Sequence, residues 1–250
     1  MTVYDADVVV LDIEGTTGSL SHVRDVLFPY ARREFTGWLT NHRDEPRVRE
    51  LMDAVGREVG RPGIGPDGVA AALAAWSDAD VKAAPLKTVQ GWIWAEGYAA
   101  GRLHGHVYPE VPGVLRDWRA AGTGIAVYSS GSAAAQRDWF RHTGYGDLSG
   151  LLDAFFDLDS AGAKTDPASY RAIARAVGAP SGRLLFLSDV AAELDAALAA
   201  GWQAAGVRRD GDPRGPEVPG HRTVPSLDRL RVCRPSSSAP SRGLPGTSSS

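Results

Sequence analysis

The chain has 250 residues, 43% hydrophobic and 23% charged, with a formal net charge of −3, an ordinary composition for a globular protein able to bury a full core. That balance, with no dense basic run, gives no electrostatic reason to expect a nucleic-acid partner. One cysteine, Cys233, excludes an intramolecular disulfide, and no apolar run approaches the roughly 20 residues of a membrane span.

Val8 to Leu11 (VVVL) is a short apolar run without alternation, which predicts a strand buried on both faces. It ends at once in the polar, glycine-rich DIEGTTGS. From Thr17 to about Gly105 the pattern is helical alone. Val23, Val26, Leu27 and Tyr30 form one stripe, with Pro29 a kink or boundary. Val48, Leu51, Met52, Val55 and Val59 form a second stripe, and Val69, Ala72, Leu73 and Trp76 a third. The breaker GRPGIGPDG separates these two. Val114, Leu115 and Trp118 then mark a helix stopped by Gly122.

Gly124 to Tyr128 (GIAVY) is the second buried strand, ending in SSGS, and Gln136, Trp139 and Phe140 belong to the helix after Ser132. Asp166-Pro167 reads as an N-cap and first-turn proline for a helix bearing Tyr170, Ile173, Ala174 and Val177. Leu184 to Leu187 (LLFL) is the third strand, ending in Ser188-Asp189, and a helix over Glu193 to Ala200 closes at Gly201. From Pro235 onward the chain is rich in Ser, Pro and Gly and is expected to be disordered.

Strands alternating with helices predict a parallel α/β sheet with right-handed crossovers. In such sheets, polar residues just past the carboxyl ends of strands share one crevice. Asp12, Glu14, Ser129, Ser130 and Asp189 are therefore expected to converge, beneath a helical insertion acting as a cap. The expected division is residues 1–17 and 106–232 as the core, 18–105 as the cap and 233–250 as the tail.

Hydrolysis of a phosphate monoester needs a nucleophile, neutralised phosphoryl oxygens and an in-line grip on the phosphate. Asp12 can attack as a carboxylate nucleophile, passing through an aspartyl-phosphate. Asp12, Glu14 and Asp189 can supply oxygen ligands to one magnesium ion, Glu14 by its backbone carbonyl, its side chain or both. Ser130 and the Gly131 amide, just before a helix, suit phosphate binding. Lys164, in AGAKTDP, can pair with the phosphate and with Asp12.

D-x-x-G-T after the first strand, Ser at the second, a loop Lys and an acidic strand end together resemble the haloacid dehalogenase superfamily. DIEGTT followed by SLSHVRDVLFPYARREF is similar to the enolase-phosphatase (acireductone synthase) family of methionine salvage, whose Glu at the position of Glu14 replaces the superfamily's usual Asp. QGWIWAEGYAAGRLHGHVYPEVP (90–112), VYSSGSAAAQ (127–136), GAKTDPASY (162–170) and FLSDVAAELDAALAAGW (186–202) are similar to that family too. The resemblance implies a Rossmann-like core with an inserted, mostly helical cap. It implies a magnesium-dependent enzyme that enolises 2,3-diketo-5-methylthiopentyl 1-phosphate and then dephosphorylates it to acireductone. Asp12 and Glu14 match the catalytic and metal positions, Ser129, Ser130 and Lys164 the substrate positions, and Asp189 the remaining metal position.

The chain departs from the family pattern at Gly18, His22, Arg24 and Asp166. Trp92, Trp94 and Tyr98 can line a methylthio pocket or form the cap's own core, and their spacing favours the core. His104 and His106 lack a third ligand nearby and are expected to be structural or solvent-facing. The sequence does not reveal the base for enolisation, for which Glu14 is a candidate. The alternative enzyme is a haloacid-dehalogenase-type phosphatase acting on another small phosphate ester. A phospho-accepting receiver module also combines acidic strand ends with a Lys, but it lacks the long insertion after the first strand. A small phosphorylated diketone, with neither nucleic acid nor membrane, is the expected partner. The absence of a basic, apolar leader predicts a cytoplasmic setting, and a moderate net charge with no obvious interface stripe makes a monomer the default expectation.

Overall fold

The computed structural model describes residues 2–234, so the Pro235–Ser250 stretch expected to be disordered lies outside the described residues, while Cys233 and Arg234, the start of the segment assigned to the tail, lie within them. In chain order the elements begin with β1 (Thr2–Asp5) and β2 (Val8–Leu11). Five helices follow: α1 (Leu20–His22), α2 (Phe28–His42), α3 (Pro46–Glu58), α4 (Pro66–Asp78) and α5 (Ala84–Ala99). Then come α6 (Val111–Ala120), β3 (Gly124–Tyr128), α7 (Ala133–Arg141), β4 (Ala154–Phe156), α8 (Pro167–Val177) and β5 (Leu184–Ser188). The chain continues through α9 (Ala191–Ala199), β6 (Gln203–Val207), β7 (Thr223–Val224) and β8 (Leu230–Cys233).

Six strands form one parallel sheet in the order β4-β3-β2-β5-β6-β7, as the alternating pattern predicts. The apolar runs do not alternate because both faces of the sheet are covered. Val9, Leu11, Ile125, Val127, Leu185 and Leu187 pack with Leu115 and Trp118 of α6 and Phe140 of α7. Val10, Tyr128 and Phe186 face the other way, onto Tyr170 and Ile173 of α8 and Leu194 of α9. Burying one such Val, Leu or Phe side chain stabilises by about 1.5–3 kcal/mol.

Local signals set the helix ends near the site. Ser132 caps α7 by accepting from the Ala135 N–H at 3.3 Å. Asp166 caps α8 by accepting from the Ala168 N–H at 2.8 Å, with Pro167 in its first turn. Gly178, in the left-handed region at φ 70°, ends α8.

β1 and β8 form a separate two-stranded parallel sheet in which Cys233 pairs with Asp5. Regular structure therefore runs one residue into the segment assigned to the tail. Its partner strand is remote in sequence and carries no local signature of that pairing.

Between β2 and α6 the described structure is helical. α1 runs through a π-helical turn (Val23–Leu27) into α2, and Pro29, the second residue of α2, lies directly after that turn. Val26 of the expected stripe faces solvent. Two crossings join these helices to the rest. The Ser19 N–H donates to His106 Nδ1 at 3.0 Å, and the Tyr108 N–H to the Thr17 carbonyl at 3.0 Å. A Cβ on Gly18 would lie 2.6 Å from the His106 carbonyl oxygen and 2.7 Å from Trp139 Cζ2, so the departure at Gly18 follows from a close crossing. His22 hydrogen-bonds the His104 carbonyl at 2.9 Å and meets the Trp139 ring edge-on. These histidines hold the crossing, in line with the structural role expected of His106; the His104 side chain is exposed.

Candidate active site

β2 lies between β3 and β5, with Leu11 level with Val127 and Leu187. The next residues off these strands, Asp12, Ser129 and Asp189, therefore emerge at neighbouring points, and all three are buried. The Asp12 N–H donates to the Leu187 carbonyl at 3.0 Å, which fixes the start of the DIEGTTG turn against β5. The Thr17 hydroxyl closes the turn by donating to the Asp12 carbonyl at 3.0 Å, and the Thr16 hydroxyl donates to Asp12 Oδ2 at 3.3 Å. Gly15 has φ 76°, and a Cβ there would stand 2.2 Å from Asp189 Oδ2. Only glycine satisfies both the backbone and this approach.

Lys164, in the loop before α8, reaches back to this point. Its Nζ lies 2.5 Å from Asp12 Oδ1 and 2.7 Å from Glu193 Oε2, with all three side chains nearly buried. Burial alone would lower the lysine, but the charges of Asp12 and Glu193 outweigh it and hold the ammonium above its ordinary range. The Tyr170 hydroxyl donates to the Lys164 carbonyl at 2.8 Å and fixes the loop.

Glu193 accepts from the Ser188 hydroxyl at 2.8 Å. Burial pushes its carboxyl up to about 7, with the Asp12 charge adding to the shift and Lys164 and Ser188 opposing it. A folded value above the ordinary 4.5 means that the folded state binds this proton more tightly than the unfolded chain. The stability contributed is full below that ordinary value and is lost as pH rises through the folded one. Glu193→Gln is expected to flatten the fall in urea midpoint between about pH 5 and pH 8. An equal slope in variant and parent would exclude Glu193 as its source.

A cavity of about 590 Å³ opens between the helical insertion and the strand ends. Glu14, Ser129, Ser130 and Gly131 line it at the strand ends; Val23, Leu27, Phe28, Trp76, Leu86 and Trp94 give much of its apolar lining, with Asp80, Lys82, Lys87 and Gln90 adding polar groups from the helical side. It stops short of Asp12, Lys164 and Asp189, which fill the strand ends with their own ion pairs. Arg214 donates to Asp189 Oδ2 and to Asp212.

A family model described as haloacid dehalogenase-like hydrolase matches residues 6–201. An enolase-phosphatase E1 of Nocardia farcinica is 50% identical over 226 residues, 90% of this chain and 97% of that protein. One from Streptomyces avermitilis is 50% identical over 85% of this chain and 89% of its own length. The chain belongs to the enolase-phosphatase E1 family of haloacid dehalogenase-like hydrolases. The crystal structure of the UTR4 protein of Saccharomyces cerevisiae superposes with a TM-score of 0.75 at 29% identity, covering 90% of this chain and 100% of that one. The motifs quoted above and the parallel-sheet fold thus lead to the same family, and this enolase-phosphatase family member is a hydrolase of the phosphatase type.

Membership of the family is consistent with a divalent metal, and the chemistry of the strand ends suits one. Burial pushes the Glu14 carboxyl up, and the neighbouring charges of Asp12 and Asp189 add to that. Burial raises Asp189 as well, again with help from Asp12 and against Arg214. Crowded, mutually repelling carboxylates are hard oxygen donors whose strain a divalent cation relieves. Among the described residues no three Asp, Glu, His or Cys side chains form a ready-made ligand cage. Magnesium needs none, because it keeps waters and takes substrate phosphate oxygens. The donor set fits.

The site of this enolase-phosphatase family member includes groups that sequence reasoning missed. Glu193 was legible only as a helix residue, although an acid four positions after Asp189 at a strand-to-helix turn was a usable signal. Arg209 had none. It donates to the Thr16 carbonyl and to Glu110 Oε1 (2.5 Å) and stacks 3.9 Å above the Tyr108 ring, thereby anchoring the DIEGTTG turn. The cap aromatics divide. Trp92 stacks on Trp38 beneath Arg47 and is core, as expected. Trp94 and Tyr98 line the cavity, although Tyr98 is also buried in the core.

Proposed function

We propose that the chain enolises 2,3-diketo-5-methylthiopentyl 1-phosphate and then dephosphorylates it to acireductone, using one magnesium ion held by Asp12, Glu14 and Asp189. The observation that carries this reading is the Asp12 carboxylate at the end of a central strand, 2.5 Å from the Lys164 ammonium, below a cavity with a polar and an apolar side. When bound, magnesium would neutralise phosphate oxygens and polarise a carbonyl.

Asp12 attacks phosphorus, forming an Oδ–P bond as the ester P–O bond breaks; water then cleaves the aspartyl-phosphate. Ser129, Ser130 and the Gly131 amide grip the phosphate at the start of α7. Lys164 stays charged through both steps and offsets the charge building on the transferring group. Glu14 faces the cavity and is placed to exchange a proton with the diketone. The apolar side suits a methylthio tail, which a sugar phosphate lacks. With a formal net charge of −3 and no apolar stripe in the sequence that marks an interface, we infer a monomer. No helix among the described residues is long and apolar enough to cross a membrane, and we infer a cytoplasmic enzyme.

Phosphate release from the diketo ester, a sugar phosphate and phosphoglycolate, each with magnesium and with chelator, tests this reading. The diketo ester is expected to be preferred, and chelation to abolish turnover. Preference for the sugar phosphate would overturn the assignment.

A further inference from the structure

One face of α5 runs the length of the cavity. Lys87, Gln90, Trp94 and Tyr98 all line it, at helical spacings of three and four residues that stack side chains along one face. Their chemistry changes in order along that face. Lys87 Nζ donates to the Ser130 carbonyl at 3.3 Å, so the helix begins beside the phosphate-binding turn. Trp94 is fixed by donating Nε1 to the Leu27 carbonyl at 2.8 Å and stacks on Phe28, which leaves only apolar ring surface for a ligand. Gln90 stands between these two ends. It is 6% exposed and lines the cavity, and no described residue hydrogen-bonds its carboxamide. Its nitrogen and oxygen are not among the walled-off polar atoms that lack a partner, so the carboxamide is open to the cavity and free to pair with a group that the cavity receives.

Resting on the enolase-phosphatase reading above, we propose that the Gln90 carboxamide donates to a ketone oxygen of the substrate, with Lys87 marking the phosphate end of α5 and Trp94 its apolar end. The helix rises by about 4.5 Å from Lys87 to Gln90 and about 6 Å from Gln90 to Trp94. Those spans match a ketone two carbons from a phosphate ester oxygen and a thioether a few bonds beyond. Enolisation removes a proton from the phosphate-bearing carbon. Its electron pair closes a carbon–carbon double bond, the carbonyl pair moves to oxygen, and a proton adds there, so the step is an isomerisation. Negative charge grows on the oxygen that Gln90 serves, so the contact strengthens towards the transition state and its loss falls on kcat more than on KM.

The test compares Gln90→Met, which keeps volume and helix propensity, and Gln90→Glu, whose carboxylate accepts but does not donate, with the parent. Each is assayed with magnesium on the diketo ester and on para-nitrophenyl phosphate, which has no ketone. The ratio of kcat/KM for the diketo ester to that for para-nitrophenyl phosphate is expected to fall about 10- to 100-fold in both variants, chiefly through kcat. An unchanged ratio overturns the proposal, whether both activities fall together, as a structural role requires, or neither moves, as a water-filled cradle requires. A Gln90→Glu variant that retains the parental ratio at about pH 9, where its carboxyl is ionised and cannot donate, also overturns it. A parent enzyme inactive on the diketo ester but active on para-nitrophenyl phosphate sinks the functional reading first and the proposal with it.

Discussion

Asp12→Asn is expected to lower magnesium-dependent phosphate release by about 10⁴-fold or more, the scale on which loss of a nucleophile registers, without lowering thermal stability. The two halves of this expectation have separate causes. The amide keeps the shape of the carboxylate but is no nucleophile towards phosphorus. For stability, Asp12 contributes charge to a crowd: its field raises Glu14, Asp189 and Glu193. Removing it relieves three buried carboxylates at the cost of one contact to Lys164, which keeps Glu193 at 2.7 Å. A melting temperature equal to or above the parent's, with phosphate release gone, is the combined result expected. Substantial turnover in the variant would remove Asp12 from the nucleophile's role, and a large fall in melting temperature would show that Lys164 depends on it.

Lys164→Met is expected to fail in the opposite way, losing both activity and stability. Among the described residues it strips the only cation paired with both Asp12 and Glu193, and breaking a buried pair by removing one partner costs about 3–5 kcal/mol. The loss is expected near the lower end, because Glu193 already titrates at about 7 and can take up a proton in place of its lost partner. The same reasoning makes the loss depend on pH. Below the Glu193 value protonation is easy and the deficit is small; above it the carboxylate is held charged without a counter-ion and the deficit grows. Urea denaturation of parent and variant on either side of neutrality measures this directly. A pH-independent difference would mean that Glu193 does not absorb the charge. Phosphate release is expected to fall about 10³-fold, as when one preorganised stabilising group is removed.

How far each feature could be read in advance depended on how local its cause was. Val8–Leu11, Gly124–Tyr128 and Leu184–Leu187 announced themselves as strands because burial on both faces demands unbroken apolar runs. The caps Ser132 and Asp166, the first-turn Pro167 and the stop at Gly178 act within one turn of chain. Convergence of Asp12, Ser129 and Asp189 followed from topology, since parallel strands share a carboxyl edge. β1, β4, β6, β7 and β8 were not legible. They are short, lie in the separate small sheet or toward the sheet's edges, or, like QAAGV in β6, carry little apolar bulk, and each is held by a partner that sequence does not name.

The sequence by itself determined the class of fold, the order of strands and helices around the site, and the acid, serine and lysine residues on which a phosphatase reading rests. Helical periodicity could also place Lys87, Gln90 and Trp94 on one face of a helix. Only the tertiary structure decided what that face meets, that Glu193 joins Lys164 and Asp12, that Arg209 secures the Thr16 carbonyl, and that Gly18 must lack a side chain. These contacts join residues far apart in the chain. Their energies depend on burial and on the sum of neighbouring charges, quantities that come into existence only when the chain has closed on itself.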